Sequence, residues 1–209
     1  MYYKNKTQKV LEQMDVGKIG EIFFIKHIFP NIKHFKNKKI VDLRGTKLEK
    51  NKDIDFLIVP NDYHVDVENL DWQENVINEL SYHTENNLSD SNIFAIEIKT
   101  DKKANITNNL VYDITSHDKP GGCARTICDF LFYVVLDENN NIIKHLNINM
   151  FKLRRFLREN CKNINKIKGL SLLNMQDEQN INDGNSLLLL VNFNLLNNIA
   201  KTYEVNGTL

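Results

Sequence analysis

Strict alternation in Ile93-Phe94-Ala95-Ile96-Glu97-Ile98-Lys99-Thr100 predicts a strand with Phe94, Ile96 and Ile98 on one face and Ala95, Glu97 and Lys99 on the other. Asp55-Phe56-Leu57-Ile58-Val59 predicts a second strand, with an acid standing before an apolar run, and residues 39–43 a third that hairpins with it. Residues 129–136 are apolar on both faces, which predicts a central strand covered by helices on both sides. Upstream, residues 8–29 read as one amphipathic helix with Leu11, Met14, Ile22, Ile25 and Phe29 on one stripe, ended by Pro30. Lys18 falls near the middle of that stripe and Glu21 at its edge, while Gly17 and Gly20 allow close approach to a sheet. The same patterns predict strands at 110–114, 141–149 and 186–193, short helices at 121–128 and 194–201, and a basic helix at 151–160. Between 60 and 92 the chain is acidic and reads as an insertion, with Leu70, Ile77 and Leu80 at helical spacing. The element order describes an α/β sandwich around a mixed sheet, and 209 residues suit a single domain spanning 1–209 with that insertion.

Charge adds an asymmetry that the balanced totals hide. Lysines and arginines number 27, as do the acids, yet no Lys or Arg lies between Lys52 and Lys99, where eleven acids do. The remaining chain is therefore strongly basic, which suits a polyanionic partner as readily as it suits a mixed, solvated surface. The apolar runs are too short or too interrupted to span a bilayer, and the polar first residues lack an h-region. Cys123, Cys128 and Cys161 have neither CxxC spacing nor paired histidines, so the expectation is three thiols in a reducing, cytoplasmic setting. The abundance of Asn, Ile and Lys fits an AT-rich genome and carries no functional meaning.

The chemistry lies in Asp55, Glu97 and Lys99. Two convergent carboxylates supply hard oxygen ligands for a divalent cation, and a lysine beside them can orient a water or stabilise developing charge. The alternative is an exposed same-face ion pair on a strand, worth little. Gly121-Gly122, with Arg125 and Thr126 in the following helix and Ser116, His117 and Lys119 before it, can present donors to a phosphate, though a plain turn and helix start would contain the same residues. Arg154, Arg155 and Arg158, with Lys152 at the edge, form a basic helix face open to a phosphate backbone or to solvent. The six histidines show no HxxxH or HExxH spacing, and no P-loop, dinucleotide fingerprint or serine-nucleophile elbow is present.

Glu21 in Gly17-Lys18-Ile19-Gly20-Glu21, Asp55 in Asp53-Ile54-Asp55-Phe56-Leu57 and the Glu97-Ile98-Lys99 triplet resemble, in order, the motif of the PD-(D/E)XK nuclease superfamily. Residues 108–114, 121–126 and 129–133 are similar to the strand, Gly-led helix and hydrophobic strand of small phage and bacterial members. Two departures are Ile54 in place of the proline and the long acidic segment between Asp55 and Glu97; Asp53 and Asp66 stand as alternative first acids. The resemblance covers about residues 8–160 and implies a restriction-endonuclease-like αβββαβ core, a mixed central sheet flanked by helices. It implies a metal-dependent endonuclease acting on DNA, with RNA the other candidate substrate. Mg²⁺ or Mn²⁺ would be bound by Asp55, Glu97 and the carbonyl of Ile98, with Lys99 on the water and Glu21 supporting that water or a second metal. Lys18 joins Ser116, Lys119, Arg125, Thr126, Arg154, Arg155 and Arg158 as expected nucleic-acid contacts. The setting implied is the cytoplasm of a bacterial or phage-infected cell, with homodimerisation open and no membrane partner. The rival expectations are a catalytically silent nucleic-acid-binding module on the same fold and a DNA-mimicking interaction protein that uses the acidic segment.

Overall fold

The computed structural model describes residues 16–85, 92–116, 119–175 and 186–205. Helix α1 occupies residues 16–23 and runs on through a π-helical turn at Phe24–Ile28. Then come β1 (Lys38–Asp42), α2 (Lys47–Lys52), β2 (Phe56–Pro60) and α3 (Leu70–Glu85). The middle of the chain holds β3 (Phe94–Asp101), α4 (Ala104–Thr107), β4 (Asn109–Ser116), β5 (Lys119–Pro120) and α5 (Gly122–Arg125). After these follow β6 (Phe130–Leu136), β7 (Ile142–Asn149), α6 (Met150–Asn160), β8 (Leu170–Met175), β9 (Ser186–Asn192) and β10 (Ala200–Glu204). Among the described residues no helix is long and apolar enough to cross a membrane.

The main sheet has six strands in the order β1-β2-β3-β6-β7-β10. Only β3 and β6 run parallel, with Glu97 opposite Leu131, so the sheet is mixed as expected. A second, antiparallel sheet has the order β5-β4-β9-β8. Period-two alternation sends successive side chains of β6 to two separate cores. Phe132, Val134 and Leu136 face α1, where Phe24 packs its ring 4.7 Å from that of Phe132 and 5.8 Å from that of Phe56. Leu131, Tyr133 and Val135 face the opposite core, under α3, α6 and the second sheet.

Several expectations change. The core face of α1 is the one carrying Gly20, Phe23 and Phe24, so Ile22 is exposed and Lys18 points to solvent. The reason is Gly20: any side chain there would strike Thr100 Oγ1, and its absence lets the helix lie directly on the end of β3. Leu11 and Met14 lie outside the described residues. The hairpin of β1 and β2 contains α2, which is capped by Thr46 accepting from the N–H of Glu49. One side of the central strand is roofed in part by a sheet, through Leu110, Leu189 and Val191, and β8 was not anticipated. The predicted last helix is a single 3-10 turn, Phe193–Leu196, followed by edge strand β10. Asn192 caps that turn, Asn197-Asn198 is a poor helix continuation, and Thr202 and Tyr203 favour a strand on the open edge of β7.

Helix α3, within the acidic segment, is fixed to the body. Val76 and Leu80 are fully buried, and His83 Nδ1 lies 3.4 Å from Asp129 Oδ1, an ion-pair separation. Asp129 Oδ2 accepts from the N–H of Ala95, so one carboxylate clamps α3 to β3 beneath the sheet. Its side chain is 2% exposed. We expect Asp129→Ala to cost about 3–5 kcal/mol, because it strands a buried donor and a buried imidazole. The urea midpoint measures this; a loss below about 1 kcal/mol would mean that α3 is held by apolar packing alone.

Candidate active site

Helix α2 ends at Asp53, whose backbone turns left-handed at φ 53° and redirects the chain into β2. Ile54 is buried beneath the turn, and Asp55 stands at the strand entrance. Its N–H donates to Ile96 O at 3.0 Å, while its Oδ2 accepts from the N–H of Ile98 at 2.7 Å. The ladder between β2 and β3 runs from Phe56↔Ile96 to Ile58↔Phe94, so beyond its end the Asp55 carboxylate takes the next backbone donor of β3. This is why an acid follows Ile54: it satisfies an N–H where the two strands diverge.

Glu97 lies next along β3 and is 8% exposed. Lys99, two residues on and on the same face, reaches across to β4, where its Nζ is 2.5 Å from Asp113 Oδ2. Glu21 approaches from α1 and pairs with Arg44, which also holds Asp42 through its Nε at 2.8 Å. The Arg44 guanidinium stacks over the Phe56 ring at 5.1 Å. On the other side, α5 abuts Asp53: a side chain at Gly122 would strike Asp53 Oδ2, and Arg125 Nη2 donates to Asp53 Oδ1 at 3.1 Å.

Electrostatics follow from this crowding. Burial pushes the Asp55 carboxyl up to about 7, opposed by the Ile98 N–H and reinforced by Glu21, Asp53 and Glu49. Glu97 is raised well above the usual carboxylate range, first by burial and then by Asp55 and Asp53, with Lys99 pulling the other way. Burial disfavours the Lys99 ammonium, while Cys123, Asp113 and Glu97 together hold Lys99 above its ordinary value, Asp113 through a direct ion pair. The buried Cys123 contributes there only as a thiolate, and burial keeps its own thiol pKa raised. The result is a cluster of acids short of positive charge, beside one lysine that stays charged at neutral pH.

Asp55, Glu97 and Lys99 are thus brought together, with Glu21 flanking Asp55 and the Ile98 backbone tied to the Asp55 carboxylate. The expected nucleic-acid contacts are scattered. Thr126 is buried, with Oγ1 donating to Asp53 O at 2.7 Å and accepting from Cys128 N at 3.1 Å. Arg154 is half-buried and donates to Thr126 O and Cys128 O, so both residues brace the turn before β6. Arg125 is engaged by Asp53, and Arg155 lies 3.8 Å from Glu159 on the exposed face that also bears Arg158. Ser116 and Lys119 stand exposed where β4 meets β5; His117 lies outside the described residues. Asp113 and Arg44 are the site residues the sequence reading missed, and Asp53, read there only as an alternative first acid, is taken up by Arg125. Asp113 falls opposite Tyr112 in an alternating strand, which marks its face but gives no sign that this face meets Lys99.

Among the described residues no three His, Cys, Asp or Glu side chains are grouped as a metal cage by themselves. Two carboxylates and a backbone carbonyl suffice for an ion that keeps its waters and borrows substrate oxygens. Comparison with family models, characterised proteins and solved structures finds no match for the chain.

Proposed function

We propose that this chain is a metal-dependent endonuclease of the PD-(D/E)XK type that hydrolyses DNA phosphodiester bonds at Asp55, Glu97 and Lys99. The observation carrying it is the convergence of two acids, both raised in pKa, beside a lysine held charged. Asp55, Glu97 and the Ile98 carbonyl are the groups that would hold Mg²⁺ or Mn²⁺. The ion when bound supplies charge neutralisation at the phosphate and a lowered pKa for water. The chain itself contributes the rest. Lys99, fixed by Asp113, donates hydrogen bonds to the water or the developing oxyanion; as an ammonium it cannot serve as the general base. Glu21, steadied by Arg44, is the acid placed to orient that water or to help hold a second ion. Lys119, Arg155 and Arg158 are exposed and available to the backbone of a DNA strand. Action within the cytoplasm of a bacterial or phage-infected cell, as a monomer or a homodimer, accompanies this proposal.

The test is incubation of the full chain with plasmid, single-stranded and branched DNA, and with RNA, in Mg²⁺ or Mn²⁺. Cleavage that EDTA abolishes is the expected result. Folded protein that cleaves none of these substrates would overturn the proposal. It would favour an interaction protein instead, for which Asp71, Glu74 and Glu79, exposed along α3, form an acidic outer face.

A further inference from the structure

The α1 face of the main sheet changes character from one side to the other. Across β2, β3 and β6 it is apolar, but β7 presents His145, Asn147 and Asn149, and the register pairs Tyr203 of β10 with His145 and Lys201 with Asn147. Where α1 and its π turn give way to the 3-10 turns at 29–35, this face opens into a cavity of about 810 Å³. That volume lies within the range of small-molecule sites.

Three features of the cavity point to one ligand chemistry. Phe94 and Phe130 line it with ring centroids 6.0 Å apart and planes tilted by 50°, and Lys38 Nζ lies 5.3 Å over Phe94, so a planar ring can stack on one of the two and meet the other at its edge. Lys33, Lys152 and Lys201 also line it, with no Asp or Glu among the lining residues, so it favours an anion. Asn147 belongs to the lining, and its Oδ1 is buried without a hydrogen-bond partner among the described residues. A buried amide oxygen left unpaired on a half-buried side chain calls for an explanation, and a ligand amino group or N–H that the wall shifts to admit supplies one.

We propose that this cavity binds a nucleotide. Its base would pack against Phe94 and Phe130 and pair through an amino group or ring N–H with the Asn147 carboxamide, and its phosphate would meet Lys201 and Lys152. The base-reading chemistry of asparagine and the stacking chemistry of aromatic residues are general. None of these residues belongs to the Asp55 site: Ala95 and Glu97 point to one face of the sheet and Phe94 and Ile96 to the other, and of the residues assigned to that site Glu21 comes from α1 on the cavity's face but is not in its lining. Nucleotide binding here therefore stands or falls independently of the nuclease proposal.

Calorimetric titration of the full chain in EDTA tests it, with AMP, CMP and UMP against ribose 5-phosphate and inorganic phosphate. The nucleoside monophosphates are expected to bind at least about tenfold more tightly than ribose 5-phosphate or phosphate. Lys201→Glu, an exposed change, and Asn147→Leu should each weaken AMP by about tenfold or more, with thermal midpoints reporting that the variants are folded. A 5′-phosphorylated oligonucleotide that binds more tightly than AMP and loses that advantage in Lys201→Glu would assign the site to a strand end, and equal affinity would assign it to the free nucleotide; both support it. Absence of binding by every monophosphate, ribose 5-phosphate binding as well as AMP, or undiminished binding by folded Lys201→Glu would overturn it.

Discussion

Glu97→Gln and Lys99→Met are each expected to reduce the proposed Mg²⁺-dependent DNA cleavage by about a thousandfold or more, while DNA binding in EDTA should stay within a few fold of wild type. Glutamine keeps the shape of Glu97 but removes the charge that would hold the cation, in a site where the carboxylate is 8% exposed. Methionine keeps the length of the Lys99 stem and removes the ammonium that pairs with Asp113 and interacts with Glu97. Asp113→Asn is expected to be milder, about tenfold to a hundredfold in kcat with little change in KM, because Lys99 persists but loses the partner that aims it. Activity is measured as initial nicking rate on supercoiled plasmid. Full activity in folded Glu97→Gln would place the chemistry elsewhere, and activity of equal size in all three variants would mark a contaminant.

What the sequence disclosed and what it hid divide along a physical line. Local period-two patterns were sufficient for β2, β3, β6 and β7, since each strand's alternation is written in its own residues and β6 is apolar on both faces. Asp55, Glu97 and Lys99 were legible for the same reason, because an acid ahead of an apolar run and two charges on one face of a strand are local facts. Non-local partnerships were not. Nothing in Leu110–Ile114 tells a strand of the main sheet from one of a second sheet, and only the fold brings Asp113 to Lys99. The α1 stripe was right at Ile25 and Phe29, which pack against the core, and wrong at Ile22, which is exposed while Phe23 and Phe24 take the buried positions. The choice between faces was made by Gly20 against Thr100, a contact eighty residues away in sequence, and by the π turn that shifts the phase beyond Phe23. Within the segment read as an acidic insertion, the helical spacing of Leu70, Ile77 and Leu80 found the helix and two of its packed residues, but Leu70 is exposed, and Val76 and His83 complete the inner face. Acidic composition described only the outer face.

Asp55→Asn should unfold at a higher urea concentration than wild type at pH 8 in the absence of divalent cations, with a gain of about 2–4 kcal/mol. The sign follows from the direction of the shift. The folded Asp55 carboxyl is pushed from its ordinary 3.8 up to about 7, chiefly by burial, so the native state holds this proton more tightly than the unfolded chain. Its contribution to stability is complete below about pH 4 and is lost as pH rises through 7. Asparagine cannot titrate, and its side-chain oxygen still accepts from the N–H of Ile98. The stability difference between variant and wild type should therefore be near its minimum at pH 4, grow between pH 4 and 7, and level off above 8. The full shift corresponds to about 4 kcal/mol at most, and water reaching the half-buried carboxylate lowers it. His83, raised by Asp129, and His145, lowered by burial, are common to both proteins and cancel in the difference, whereas Glu97 loses the part of its upward shift that comes from Asp55, which adds to the gain in the variant. Mg²⁺ should raise the wild-type midpoint at pH 8 and leave that of Asp55→Asn nearly unchanged, because the ion stabilises only the state that binds it. Parallel pH profiles for the two proteins would show that Asp55 ionises without penalty. Equal stabilisation of both by Mg²⁺ would remove Asp55 from the metal site. The expected pair of results, a more stable protein that no longer responds to the cation, is what a site held under electrostatic strain for catalysis requires.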